Sequence, residues 1–194
     1  MERKRGKLFV LSGPSGVGKG TVRAALLEDY SDINYSISAT TRARREGEKD
    51  GREYFFTETA RFKDMIKNDQ LLEWAEYCGN YYGTPREYVE DKLNSGQDII
   101  LEIEIQGAEQ IKKKFPAGVF VFLAPPSLNE LRSRIENRGT EEDCVILKRL
   151  ETAKVEMEKM SNYDYVIVND VVEHAAEKLK SIIIAERCKV ENYL

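Results

Sequence analysis

A short glycine-rich stretch near the N-terminus carries residue types that bind phosphate. In SGPSGVGKGT, the residues Gly13, Gly18 and Lys19 satisfy the phosphate-loop pattern GxxxxGK followed by Ser or Thr. Backbone N–H groups in such a loop point at phosphate oxygens, and the lysine reaches the terminal phosphates. Gly20 stands where a hydroxyl residue usually contacts magnesium, and Thr21 comes one position too late. The stretch predicts nucleotide binding with an altered arrangement around the metal.

Five short runs of β-branched and apolar residues predict the strands that position this loop. Several are apolar at consecutive positions, which is typical of strands buried on both faces of a parallel sheet. Helical stretches alternate with them, so we expect a layered α/β fold with right-handed crossovers. The predicted strands are 8–12, 34–38, 98–104, 119–124 and 165–169, and the predicted helices are 19–30, 85–95, 106–115 and 171–188.

Two segments interrupt this alternation. Residues 40–84 contain a basic loop, a short helix and a hairpin with Gly79-Asn80 at its turn, which together predict a small β-rich insertion. Further along, a helix opened by a capping box ends at Gly139, and a long amphipathic helix follows. Arg149 lies off the apolar stripe of this second helix, so its side chain can reach solvent or a ligand.

The composition argues against several classes of protein. The chain of 194 residues has a net charge of −4, unlike a general nucleic-acid binder. Its basic N-terminus precedes an apolar run too short for a signal peptide or a membrane span, so we expect a cytoplasmic protein without a membrane partner. Three scattered cysteines without a CxxC pair predict neither disulfides nor a zinc site. The single histidine, His174, is expected at the surface.

Motifs along most of the chain resemble those of the guanylate kinase family. They occur in the family's order between Lys7 and Ala185, and their combination is far more specific than any one of them. They read GPSGVGKG, SATTRARREGEKDGREYFF, LLEWAEYCGNYYGT, ILEIEIQGA, FLAPPS, IENRGTEE and YVIVND. The resemblance implies transfer of a phosphoryl group from ATP to GMP, and also to dGMP, with Mg²⁺ as the cofactor.

The resemblance also implies how the chain is organised. The expected fold is an α/β P-loop kinase, in which helices flank a five-stranded parallel sheet and a helical lid closes over ATP. A small β-rich insertion binds GMP. The single domain then spans 7–185, with the GMP-binding part at 38–84, the lid at 126–159, and the core at 7–37, 85–125 and 160–194.

Site residues of the family carry over to the positions that match its motifs. The implied catalytic cations, which gather around the transferred phosphoryl group, are Lys19, Arg45, Arg138 and Arg149. The implied ATP-binding residues are Gly13, Pro14, Ser15, Gly16, Val17, Gly18, Lys19, Gly20, Thr21, Arg138 and Asn169. The implied GMP-binding residues are Ser38, Arg42, Arg45, Tyr54, Glu73, Tyr82, Thr84 and Glu104. No direct protein ligand of the metal is assigned.

The residue types suit these implied roles on chemical grounds. The planar guanidinium groups of Arg42 and Arg45 bind phosphate through paired hydrogen bonds. A carboxylate such as Glu73 can accept from both N1–H and the 2-amino group of guanine, a pair of donors that adenine lacks. Taken alone, Glu73 is also consistent with a surface acid of the hairpin. Tyr54 and Tyr82 alone are consistent with packing residues.

Two other functions remain open at this point. A guanylate-kinase-like interaction module shares the fold but binds protein partners, and the four catalytic cations argue against it. A kinase for another phosphorylated acceptor is disfavoured chiefly by Glu73. Glu104 stands where many relatives have Asp, and its contact, with the base or with hydrated magnesium, is open. The acceptor phosphate is already ionised at neutral pH, so no general base is required.

Overall fold

The structure, a computed structural model, describes residues 5–77, 79–136 and 143–193. Strands and helices alternate along most of this length. The strands are β1 (Leu8–Ser12), β2 (Asn34–Tyr35), β3 (Ala39–Thr40), β4 (Phe55–Phe56), β5 (Leu71–Tyr77), β6 (Asn80–Pro85), β7 (Ile99–Glu102), β8 (Val119–Ala124) and β9 (Tyr165–Val168). The helices are α1 (Lys19–Asp29), α2 (Thr59–Lys67), α3 (Arg86–Asn94), α4 (Ile105–Lys114), α5 (Leu128–Glu136), α6 (Asp143–Glu158) and α7 (Val172–Arg187), with 3₁₀ turns at Lys159–Asn162 and Val190–Asn192.

The main sheet has five parallel strands in the order β2-β7-β1-β8-β9, which confirms the predicted fold class. Its central strand β1 is buried along its whole length. Phe9 and Leu11 belong to the apolar core on one face, whereas Leu8 and Val10 belong to the core on the other face, as the alternation of side chains along a strand requires. Since all strands are parallel, their carboxyl ends meet at one edge, where ligands bind in such sheets.

A second sheet forms the predicted insertion. Its order is β4-β3-β6-β5, with an antiparallel hairpin of β5 and β6 as its largest part. The hairpin carries a bulge, because Leu71 pairs with Pro85 whereas Glu73 pairs with Thr84. The extra residue, Leu72, is fully buried in the core beneath the main sheet. Burial of one leucine side chain contributes about 2 kcal/mol, so the bulge anchors the insertion to the core.

Two helices, α5 and α6, lie within the segment 126–159 that the sequence predicts as a lid. The Ser127 hydroxyl accepts from the backbone N–H of Glu130 at 3.1 Å, which is the N-terminal cap expected for α5. Ile146 and Ala153 of α6 are buried, as its apolar stripe predicts. Residues 137–142, which include the predicted catalytic Arg138, lie outside the described residues.

Strand β7 begins one residue later and strand β9 ends one residue earlier than predicted, and two other strand ends differ by more. Strand β2 ends at Tyr35 rather than at residue 38, because the chain leaves the main sheet there to enter the insertion. Strand β7 ends at Glu102 rather than at Glu104, because Glu104 is the N-terminal cap of α4. Both differences bring polar side chains to the carboxyl edge of the sheet. Within the described ranges, every helix is too short or too polar to cross a bilayer.

Candidate active site

The glycine-rich loop joins the end of β1 to the start of α1, as its sequence predicts. Gly18 has φ 99°, a left-handed conformation that favours glycine. A Cβ atom at this position would also lie 2.7 Å from Nδ2 of Asn169, the residue that follows β9. Asn169 Nδ2 donates to the carbonyl oxygen of Val17 at 2.8 Å. With only 1% of its surface exposed, Asn169 therefore supports the loop from below.

Lys19 lies at the mouth of this loop. Its Nζ donates to the carbonyl oxygen of Gly13 at 2.7 Å and lies 3.3 Å from Oε2 of Glu104. The lysine is 8% exposed, whereas Glu104 is 45% exposed. The ammonium group is thus held next to the backbone that is predicted to bind phosphate, with a solvent-accessible carboxylate on its other side.

One cleft of about 270 Å³ connects this lysine to the predicted GMP-binding residues. Thr84 is fully buried behind Glu73 and donates to it from its hydroxyl. The structure therefore brings Lys19 of the glycine-rich loop into one cleft with seven of the eight residues predicted to bind GMP. Besides Lys19, the cleft is lined by Ser38, Arg42, Arg45, Tyr54, Glu73, Tyr82 and Glu104.

Arginine and tyrosine side chains form one end of the cleft, together with an acid that the sequence analysis missed. Arg42 Nη2 donates to both carboxylate oxygens of Glu48, at 2.8 and 3.1 Å, and the backbone N–H of Arg45 donates to Glu48 Oε2 at 2.8 Å. The hydrogen bond from Arg42 lowers the pKa of the Glu48 carboxyl. Glu48 could have been predicted from the sequence, because arginines and acids alternate in this loop at spacings that allow ion pairs.

Tyr54 and Tyr82 meet edge to face, with ring centroids 6.0 Å apart. Burial raises the pKa of Tyr54 to about 12, so its hydroxyl stays protonated at neutral pH. This packing fits the interpretation of the two residues as structural. Their place in the lining of the cleft fits the interpretation as donors to a phosphate equally well.

Glu73 lies at the other end of the cleft and is only 4% exposed, so the surface-acid interpretation is wrong. Its Oε1 accepts from the Thr84 hydroxyl at 2.6 Å. Burial nevertheless raises the pKa of Glu73 to about 7, because the charged form loses hydration. A ligand that donates hydrogen bonds to this buried carboxylate would stabilise its charged form.

Glu102 is a second acid of the cleft that the sequence analysis missed. It accepts from Arg23 Nε at 2.8 Å, and a Cβ atom at Gly20 would lie 3.4 Å from its Oε1. Glu102 could have been predicted from the sequence, because it stands at the carboxyl end of a central parallel strand, where ligands bind. Among the described residues, no cluster of three or more His, Cys, Asp or Glu side chains could hold a metal ion.

Helices α5 and α6 each bring one arginine into contact with the loop or its support. Arg149 Nη2 donates to the hydroxyl of Ser15 in the glycine-rich loop at 2.9 Å. Arg134 Nη1 donates to the Val17 carbonyl at 3.3 Å and its Nη2 to the Asn169 carbonyl at 2.9 Å. Thr21, by contrast, is exposed on α1.

Known proteins with similar sequences and structures show which family the chain belongs to. The guanylate kinase family model matches residues 5–186. A guanylate kinase of Halalkalibacterium halodurans is 58% identical over 194 residues, which cover 100% of this chain and 95% of that protein. A guanylate kinase of Desulfitobacterium hafniense is 57% identical and covers 98% of this chain and 96% of that protein. The crystal structure of guanylate kinase from Anaplasma phagocytophilum is similar with a TM-score of 0.82, at 37% identity and over 98% of this chain and 90% of that one. The chain therefore belongs to the guanylate kinase family.

Proposed function

We propose that this protein transfers the terminal phosphoryl group of ATP to GMP, and to dGMP, giving ADP and the corresponding diphosphate. The observation that carries the proposal is that Lys19 and Glu73 line the same cleft. The lysine belongs to the phosphate loop, and the buried acid offers acceptors suited to guanine. Donor and acceptor nucleotides can therefore meet in one cavity. Both are nucleotides of the cytoplasm, where we expect the protein to act.

On the donor side, the loop from Gly13 to Thr21 binds the ATP phosphates through its backbone N–H groups. Lys19 neutralises charge on the terminal phosphates, and Arg149 approaches from the lid through its contact with Ser15. Asn169 keeps the loop in shape from beneath, so its part in ATP binding is support of the backbone. Arg138 retains its predicted role as a further lid cation.

On the acceptor side, the guanidinium groups of Arg42 and Arg45 bind the GMP phosphate through paired hydrogen bonds. Glu48 holds the guanidinium of Arg42 in place before the nucleotide arrives. The hydroxyls of Tyr54 and Tyr82 donate to the same phosphate. This part of the cleft belongs to residues 38–84, which we take as the GMP-binding part.

At the base end, Glu73 accepts from N1–H and the 2-amino group of guanine. Ser38 lines the cleft and Thr84 orients the carboxylate, and we expect both hydroxyls to lie near the guanine oxygen when GMP is bound. The reaction needs no general base, because the attacking phosphate oxygen is already ionised. The chain contributes position, charge and, when the lid at 126–159 closes, the exclusion of water that would hydrolyse ATP.

Mg²⁺ fits the acids at the carboxyl edge of the sheet. Magnesium takes oxygen ligands and commonly binds one or two carboxylates together with phosphate oxygens and water. Glu102 and Glu104 supply carboxylates in the cleft beside Lys19. The ion, when bound, neutralises negative charge on the phosphates. Together with the phosphate oxygens and water, these two acids would hold it without a loop hydroxyl, which accounts for glycine at position 20.

A magnesium titration of Gly20→Ser tests this account. Gly20 has an ordinary helical backbone, and a Cβ atom at this position would meet the Glu102 carboxylate oxygens at normal contact distances of 3.4 and 3.7 Å. We therefore expect the variant to fold, to require Mg²⁺ and to keep kcat within about twofold of the parent. A much smaller magnesium requirement with a much larger kcat would show that the missing hydroxyl limits the parent protein. Loss of activity in the folded variant would also contradict the account.

An assay of ADP release across GMP, dGMP, AMP, CMP and UMP tests the function itself. We expect turnover with GMP and dGMP, and kcat/KM at least about a hundredfold lower with AMP, because adenine leaves the Glu73 acceptors unpaired. Activity with all five acceptors would show that the cleft does not select the base. Absence of turnover with every acceptor would favour the interaction-module alternative.

A further inference from the structure

Helix α4 contacts β5, the strand that carries Glu73. Strand β5 is the edge of the small sheet, so one side of its backbone faces away from β6. Gln110 of α4 pairs with that side: its Nε2 donates to the Trp74 carbonyl oxygen at 2.7 Å, and its Oε1 accepts from the Trp74 N–H at 3.2 Å. One side-chain amide thus reproduces the two hydrogen bonds that a neighbouring antiparallel strand would make.

Gly107, one turn earlier on the same helix, faces the carboxylate of Glu73. A Cβ atom at this glycine would lie 2.4 Å from Glu73 Oε2 and 3.0 Å from its Cδ, and the three nearest atoms all belong to Glu73. The Glu73 side chain therefore occupies the space that any other residue at position 107 would take. Thr84 holds the other carboxylate oxygen at 2.6 Å. The carboxylate is confined between a helix and a strand.

The residue before Glu73 is fixed to the same helix. Lys114 Nζ donates to the Leu72 carbonyl oxygen at 2.6 Å, and the buried Leu72 side chain belongs to the same core cluster as Ala108 and Ile111 of α4. Positions 107, 110 and 114 are spaced to lie on one face of a helix. One face of α4 therefore contacts three consecutive residues of β5, namely Leu72, Glu73 and Trp74.

We propose that Gly107 and Gln110 are positioning residues for base selection. They set where the Glu73 carboxylate stands, and so determine how well the site distinguishes GMP from a purine monophosphate without the 2-amino group, such as IMP. This inference rests on the proposed function, in which Glu73 reads the guanine edge. Gly107 provides the space for the carboxylate, and Gln110 fixes the backbone that carries it.

Gly107→Ala tests the inference through the dissociation constants for GMP and IMP, measured by calorimetry. The added methyl group displaces the Glu73 carboxylate, so we expect GMP to bind at least about tenfold more weakly, from the loss of one well-placed hydrogen bond to a charged group. IMP should be affected less, because it has one donor fewer to lose, and the KM for ATP should stay unchanged. Alanine favours helix over glycine, so α4 itself should not be weakened. Lys113→Ala, at an exposed position of α4, is the matched control.

A double-mutant cycle separates positioning from packing. In the Glu73→Ala background the three side-chain atoms that the added methyl group would meet are gone, so adding Gly107→Ala should change GMP and IMP binding by less than about twofold. A tenfold effect that persists in this background would overturn the inference. Gln110→Ala should also lower the GMP:IMP preference, but less strongly than Gly107→Ala. It removes the two hydrogen bonds to the Trp74 backbone without introducing a steric clash.

The outcomes distinguish this inference from the proposed function. If the parent protein does not phosphorylate GMP, the proposed function fails. If the parent does so and folded Gly107→Ala keeps its GMP:IMP preference, the positioning role alone is wrong. Should Gly107→Ala not fold, Gln110→Ala decides, and an unchanged preference in that variant overturns the inference.

Discussion

Lys19→Met should lower kcat by at least about a hundredfold and leave the fold intact. The loss is large because the ammonium group is proposed to stabilise negative charge that develops on the transferred phosphoryl group, inside a cleft where hydration is reduced. Methionine has nearly the same length and fills the space beneath the loop. The only charged partner of Lys19 in the described contacts, Glu104, is 45% exposed and can be hydrated when the lysine is absent.

Thermal unfolding and turnover, measured together, check this prediction. Lys67→Met, at an exposed position of α2, controls for the general loss of a positive charge. We expect the melting temperatures of both variants to lie within a few degrees of the parent, and only Lys19→Met to lose turnover. Folded Lys19→Met with a near-normal kcat would mean that the loop lysine has no part in the reaction.

Glu73→Gln should raise the KM for GMP by about ten- to a hundredfold, with little change in the KM for ATP. The amide replaces one acceptor oxygen with a donor that faces the donors of guanine, and an unmatched buried polar contact costs about 1–3 kcal/mol. Equal weakening of both substrates would assign Glu73 a structural role rather than a role in base recognition. An unchanged KM for GMP would remove it from the site.

The same substitution should stabilise the free protein at high pH. Burial raises the pKa of Glu73 to about 7, above the usual value of 4.5, so the folded protein binds more protons than the unfolded chain between these values. The stability contributed by the neutral carboxyl is present below pH 4.5 and is lost as the pH rises through 7. Since glutamine does not ionise, Glu73→Gln should gain about 3 kcal/mol over the parent at about pH 8 and almost nothing at about pH 4.5. Thermal melts at both pH values measure this difference.

The pKa also predicts how GMP binding depends on pH. Only the carboxylate form of Glu73 accepts two hydrogen bonds, so the KM for GMP should be about tenfold higher at about pH 6 than at about pH 8. The phosphate of GMP titrates near about pH 6 and contributes a smaller effect of its own. Glu73→Gln should retain only this smaller effect, and an equal pH dependence in both proteins would contradict the assignment.

The sequence is most informative where one local rule determines the structure. Strands β1 and β8 have the bounds that their sequences predict, because consecutive apolar residues in a parallel sheet leave little choice of boundary. The phosphate loop is equally predictable, because glycine spacing and a lysine define its backbone. The two short strands β3 and β4 are harder, because each pairs with the other over only two residues within the insertion.

Tertiary contacts explain what the sequence does not predict. Nothing near Glu73 in the hairpin indicates burial, because burial depends on the bulge at Leu72 and on α4, whose Gln110 lies 36 positions from Trp74 along the chain. In the sequence, Gly107 cannot be distinguished from any other glycine in a helix, because its role depends on the Glu73 carboxylate that faces it. Glu102 has the pattern of a strand residue, although its side chain faces the cleft. The roles carried over from the family's motifs remain predictions for the variants described above.

The contact between Asn169 and the phosphate loop bears on how the protein is made. Val17 and Asn169 are 152 positions apart, and β1 pairs with β7 and β8, both of which lie far beyond it in the chain. On a translating ribosome, which adds about 5–20 residues per second, the loop emerges roughly 8–30 s before the asparagine that supports it. During that interval the nascent chain has the loop sequence without the Asn169 side chain that contacts it. The support that Asn169 gives to the loop is therefore available only after synthesis has passed the last strand of the sheet.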